Sequence, residues 1–142
     1  MVNAPVLEAK QVTMAFNAGT PREVVAFRDI SFTLRQGEIL AIVGPSGCGK
    51  STLFNVIAGL LRPTSGSVSV DGTLVDGARG HIDYMLQKDL LLPWRSVLDN
   101  VTLGLEVRGT PSAEARDRAM ALIRRYGLAG FESARPRALS GG

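Results

Sequence analysis

The sequence has one cysteine, one tryptophan, one histidine and only 6% aromatic residues. Each scarcity excludes something. A lone Cys48 cannot close an internal disulfide, which excludes a disulfide-stapled secreted module and fits a reducing compartment. Apolar runs such as residues 39–43 and 90–92 fall far below the ~18 residues that span a bilayer. Residues 1–5 carry neither a charged start nor an apolar stretch, so no secretory signal is expected. What is present is ordinary for one soluble domain: 142 residues, 45% hydrophobic, 20% charged, with 16 Gly and 7 Pro. That composition excludes disordered and collagen-like chains. A chain of this size removes roughly two thirds of its extended surface from water, enough for one core.

The net charge of +3 invites a nucleic-acid reading, but the excess is local. Residues 1–107 hold nine Lys/Arg against ten Asp/Glu, and residues 108–142 hold seven Arg against three acids. Arg116, Arg118, Arg124 and Arg125 fall in one helical pattern with no aromatic residues between them to stack on bases. A solvated helix face is the favoured reading, and no nucleic-acid partner is expected.

Alternating residues predict strands over 7–16 and 24–34, with Val12, Met14 and Phe16 on one face of the first and Ile30, Phe32 and Leu34 on one face of the second. Residues 39–43 are apolar without a break, which predicts a strand buried on both faces, as in a parallel α/β sheet. A helix follows, with Leu53, Val56, Ile57 and Leu60 inward and a stop near Gly59 and Pro63. Residues 66–75 read as a hairpin around Asp71-Gly72, and residues 82–86 as a further strand. Ser96 with Asp99 resembles a capping box opening a helix to about Val107. Ser112 opens another, with Ala115, Ala119, Leu122, Ile123 and Tyr126 at helical spacing and Gly127 as its stop. The boundary falls between a β-rich, α/β part over 1–86 and a helical part over 87–142.

Between the apolar run and the first helix stands Gly44-Pro45-Ser46-Gly47-Cys48-Gly49-Lys50-Ser51, a complete G-x-x-x-x-G-K-[ST]. Glycines let backbone N–H groups converge on phosphate oxygens at a helix N-terminus, whose dipole favours anions. In such a loop Lys50 reaches the β- and γ-phosphates of a nucleoside triphosphate and the Ser51 hydroxyl ligates Mg²⁺. Thr52 serves the α-phosphate side. Cys48 is a small side chain within the loop and needs no nucleophilic role.

The loop continues as GPSGCGKSTLFNVIAGLL, followed by Arg62-Pro63-Thr64-Ser65-Gly66, the Asp71-Gly72 hairpin, Gln87, and Leu139-Ser140-Gly141-Gly142. In this order and at this separation, from Val6 to Gly142, they resemble the nucleotide-binding domain of an ATP-binding cassette (ABC) transporter. Met85 to Asp89, together with Leu92-Pro93-Trp94-Arg95-Ser96-Val97, is similar to importers of the nitrate, sulfonate and taurine class. The resemblance implies an α/β P-loop NTPase with an N-terminal antiparallel β subdomain and a helical subdomain, using ATP and Mg²⁺. It implies that Gln87 contacts Mg²⁺ and the attacking water. Phe16 would stack on adenine in place of the family's Tyr, with a plain core residue as the alternative. Ser140, Gly141 and Gly142 would face the nucleotide of a second ATPase subunit in a sandwich dimer. His81 precedes Gln87, so it is not the family's switch histidine, and a turn or surface role is favoured.

The partners implied are permease subunits engaged through residues 87–94 and, indirectly, a periplasmic solute-binding protein. The location implied is cytoplasmic, peripheral on the inner face of the membrane. Leu90, Leu91, Leu92 and Trp94 form an apolar cluster that suits either local packing or the permease groove. A complete domain of this family is longer: a strand ending in a metal-binding Asp and a catalytic Glu, and the switch His, lie after the signature. Asp71, Asp76, Asp83 and Asp89 do not follow four apolar residues and are no substitutes. The expectation is therefore a chain lacking the second half of the parallel core. ATP binding is expected, with weak or absent hydrolysis by these residues alone. The alternatives are an inactive nucleotide-binding fragment and an ABC ATPase without a membrane partner, in DNA repair or translation. A P-loop kinase would leave residues 139–142 unexplained.

Overall fold

The structure, a computed structural model, describes residues 4–77, 82–86 and 90–139. The chain divides into two units, Met1–Met85 and Leu86–Gly142. In the first, β1 (Leu7–Phe16), β2 (Val24–Leu34), β3 (Ser65–Val70) and β4 (Thr73–Leu74) form an antiparallel sheet in the order β2-β1-β3-β4. Helix α1 (Lys50–Ile57) packs on it. Ala9, Val12, Met14, Val56 and Val68 make the core. Both long strands and the Asp71-Gly72 hairpin lie where alternation and turn chemistry predict them.

The alternation of β1 is broken by register shifts that the residue pattern does not show. Ala9 and Val12 are both buried although three apart, because the pairing with β2 shifts between them. Gln11 there has a φ of 48°, and its N–H donates to the Ser31 hydroxyl at 2.8 Å. Gly66 of β3 crosses this irregularity so closely that a Cβ would lie 2.3 Å from the Gln11 carbonyl oxygen. Phe16, the last residue of β1, lies beyond the buried core and is 40% exposed.

Two predicted strands are absent. Residues 39–43 form no strand, and Ile39 and Val43 are 96% and 88% exposed. A segment apolar on both faces needs neighbours on both, and the four antiparallel strands leave it none. Residues 82–86 likewise form no strand. Leu60, expected inward, is exposed because α1 ends at Ile57.

The second unit is built on α2 (Val97–Val107) and α3 (Ser112–Arg125), followed by a 3₁₀ turn at Pro136–Ala138. The capping box is formed as predicted. The Asp99 N–H donates to the Ser96 hydroxyl at 3.1 Å, and the Ser96 N–H donates to the Asp99 carboxylate at 3.2 Å. Val97, Leu98, Ala119 and Ile123 form this unit's core. Leu122 and Tyr126, expected inward, are exposed, since the buried stripe of α3 runs through Ala115, Ala119 and Ile123. Arg116, Arg118, Arg124 and Arg125 are solvated, and Arg118 pairs with Glu114 at 2.6 Å.

Candidate nucleotide-binding site

The loop over residues 44–49 leads into α1 through Gly49, whose φ of 94° places it in the left-handed region. A Cβ there would also lie 2.6 Å from the Ala26 carbonyl oxygen of β2, so only glycine lets the loop seat against the sheet. At Gly44 a Cβ would meet the Cys48 sulfur at 2.8 Å. The loop thus closes on itself and on β2 through contacts that exclude side chains.

The start of α1 is open to an anion. It has no side-chain cap and no acidic residue in its first turn. By contrast, α2 carries both a capping serine and Asp99. An uncompensated N-terminus keeps its backbone donors and its positive dipole end for a ligand. Lys50, the first residue of α1, bends back over the loop and donates to the carbonyl oxygens of Gly44 and Pro45, both at 2.7 Å. Its ammonium lies 3.6 Å from the Cys48 sulfur. Thus one mobile cation, one uncapped helix end and a glycine-shaped concavity converge, which is the donor set a polyphosphate requires.

Ser51 is exposed and Thr52 half-buried in the first turn of the same helix. Among the described residues no three His, Cys, Asp or Glu side chains gather as a metal cage. The Ser51 hydroxyl with phosphate oxygens is the arrangement that suits Mg²⁺, which keeps several waters and takes few protein ligands. Asp76 is paired with Arg62 at 2.6 Å. Phe16 is 40% exposed at the end of β1, opposite Val24, and is not part of the buried core. Gln87, His81, Ser140, Gly141 and Gly142 lie outside the described residues.

A family described as ABC transporter matches residues 27–142. The chain belongs to the ABC transporter family. Its fold is that of a P-loop ABC ATPase cassette. The taurine import ATP-binding protein TauB of Pseudomonas aeruginosa is 40% identical over 136 residues, covering 96% of this chain and 51% of that protein. The formylaminopyrimidine import ATP-binding protein ThiZ of Halalkalibacterium halodurans is 43% identical over 136 residues, covering 96% and 51%. Among solved structures, the dimeric post-hydrolysis state of the ATP-binding cassette MJ0796, bound to ADP and Pi, matches with a TM-score of 0.77 at 27% identity. That match covers 94% of this chain and 63% of the other. The chain spans about half the length of the curated relatives it matches.

One structural feature of this ABC chain has no counterpart in the motifs above. The Asn100 side chain binds the backbone of residues 92, 95 and 96. The signal was available: an asparagine four residues into a capped helix, after a Pro-Trp loop that cannot satisfy its own carbonyls.

Proposed function

We propose that the chain is the ATP-binding portion of the motor subunit of an ABC importer, coupling ATP binding and hydrolysis to passage of a small solute through permease subunits. The observation that carries this reading is the uncapped α1 N-terminus roofed by Lys50 within the Gly44–Gly49 loop. TauB and ThiZ are import ATP-binding proteins, which supports the importer assignment. A small nitrate-, sulfonate- or taurine-like solute is the proposed cargo.

ATP fits the residues present. The loop N–H groups and the α1 dipole would hold the β-phosphate, and Lys50 would exchange the Gly44 and Pro45 carbonyls for phosphate oxygens. Ser51 would hold Mg²⁺, with Gln87 as the second proposed ligand, and Phe16 would stack on adenine. Magnesium supplies charge neutralisation across the phosphates. Ser140, Gly141 and Gly142 are proposed to face the nucleotide of a second ATPase subunit. Turnover by residues 1–142 alone is proposed to be weak, since no carboxylate of the sequence follows the apolar strand run that would present a general base. The working site of the protein is the cytoplasmic face of the membrane; no described helix is long and apolar enough to cross it.

Leu90 and Trp94 are 68% and 69% exposed, and they form the proposed permease-facing surface. In the full-length protein reconstituted with its permease pair, Trp94→Ala should lower permease-stimulated ATPase about tenfold and leave ATP affinity unchanged, the loss expected of a buried aromatic anchor. Equal losses in both measurements would refute the coupling role.

A further inference from the structure

Residues 90–95 form neither helix nor strand, so their backbone polar groups must find partners elsewhere. The side chain of Asn100, in α2, supplies three of them. Its Oδ1 accepts from the Leu92 N–H at 2.7 Å, while its Nδ2 donates to the carbonyl oxygens of Leu92 at 3.1 Å and Ser96 at 2.9 Å. A longer bond of 3.4 Å reaches the Arg95 carbonyl. One amide thus uses its acceptor and both donors on a single loop, which an aspartate or a hydroxyl could not reproduce. From the other side, the Arg135 guanidinium donates to the Trp94 carbonyl oxygen. Arg95 is itself fixed by the Asp99 carbonyl at 3.0 Å and the Glu106 carboxylate at 2.9 Å.

The same loop leaves its apolar side chains in solvent: Leu90 is 68%, Leu91 45% and Trp94 69% exposed. A backbone held at residues 92, 94, 95 and 96 beneath exposed apolar tips is a surface whose ordering has been completed before any partner arrives. A backbone ordered in advance removes that part of the ordering cost from the binding step.

We propose that Asn100 and Arg135 are positioning residues that hold the Trp94 loop pre-formed for an apolar helix of the permease. The functional consequence rests on the reading of that loop as the permease-facing surface; the clamp itself does not. Losing it should weaken the complex about tenfold while leaving the grip of residues 44–51 on the phosphates intact, since neither Asn100 nor Arg135 belongs to that loop.

Trp94 is the only tryptophan of the 142 residues, so its fluorescence reports the loop directly. In this chain, in dilute solution, Asn100→Ala should lower the anisotropy of Trp94 and raise its quenching by acrylamide, with far-UV circular dichroism unchanged. Asn100→Asp keeps the acceptor for the Leu92 N–H and loses the donors, so it should fall between wild type and alanine. Arg135→Gln should loosen the loop independently, which keeps the test open should Asn100→Ala disturb α2. Unchanged anisotropy and quenching in Asn100→Ala and Arg135→Gln would overturn the clamp. In the full-length protein, affinity for detergent-solubilised permease is then measured for Asn100→Ala and Trp94→Ala. Loss in both supports the proposal. Loss in Trp94→Ala alone overturns the positioning role. Unchanged affinity in Trp94→Ala overturns the reading of the surface while the fluorescence still decides the clamp.

Discussion

Lys50 is held by two carbonyls of its own loop, and those bonds are what a phosphate must replace. A cation already seated over the concavity contributes charge where the ligand develops its own, and a hydrogen bond to a charged group is worth about 1.5–3 kcal/mol. Lys50→Ala should therefore weaken ATP binding by roughly ten- to a hundredfold, read by equilibrium titration. Gly49 presents a different case. A methyl group at a φ of 94° and 2.6 Å from the Ala26 oxygen must displace the loop or β2. Gly49→Ala should lower stability by more than about 1 kcal/mol and abolish binding, measured by thermal melting and by titration. The sequence announced these residues through their spacing. It could not announce that Phe16 would leave the core, because where a strand runs beyond the packed core has no signature in residue type. Nor could the alternation show Gln11 in a left-handed conformation.

At the scale of elements, α2 was the most legible part of the chain, since a capping box is a local arrangement that needs no distant neighbour. Its carboxylates are perturbed in a coherent direction. The Ser96 hydroxyl and backbone N–H hold Asp99 below the ordinary carboxylate value. The Thr102 hydroxyl, then Arg95, does the same for Glu106. Folded values below unfolded ones mean stability present above the unfolded pKa and lost as pH falls through the lowered folded values. Melting of the helical unit should accordingly weaken below about pH 4, and Asp99→Ala should flatten that acid limb. Ser96→Ala should cost about 1 kcal/mol at neutral pH, seen as a lower denaturant midpoint. An acid limb equally steep in Asp99→Ala would assign the effect elsewhere. Residues 39–43 are the opposite case. Their apolar run predicts a strand buried on both faces, and the structure shows neither strand nor burial, because strand formation depends on pairing that no local pattern supplies.

For the whole molecule, Ile39 and Val43 in solvent, with Leu40 43% exposed, form the kind of apolar segment that associates edge to edge. Self-association of the 142-residue chain should fall when Ile39 and Val43 are both replaced by Lys, with the antiparallel sheet intact by circular dichroism. Sedimentation velocity reads the change. Two units, each with its own core, divide the labour: one shapes the phosphate loop against β2, and the other displays the Trp94 loop on α2. The central claim concerns the first. The most direct measurement is competition at equilibrium between a fluorescent ATP analogue and unlabelled ATP, ADP or AMP, in Mg²⁺, for wild type and Lys50→Ala. A loop that grips the β-phosphate predicts displacement by ATP and ADP, little by AMP, and binding weakened by roughly ten- to a hundredfold in Lys50→Ala. Displacement by AMP as effective as by ATP, or undiminished binding in Lys50→Ala, would contradict it.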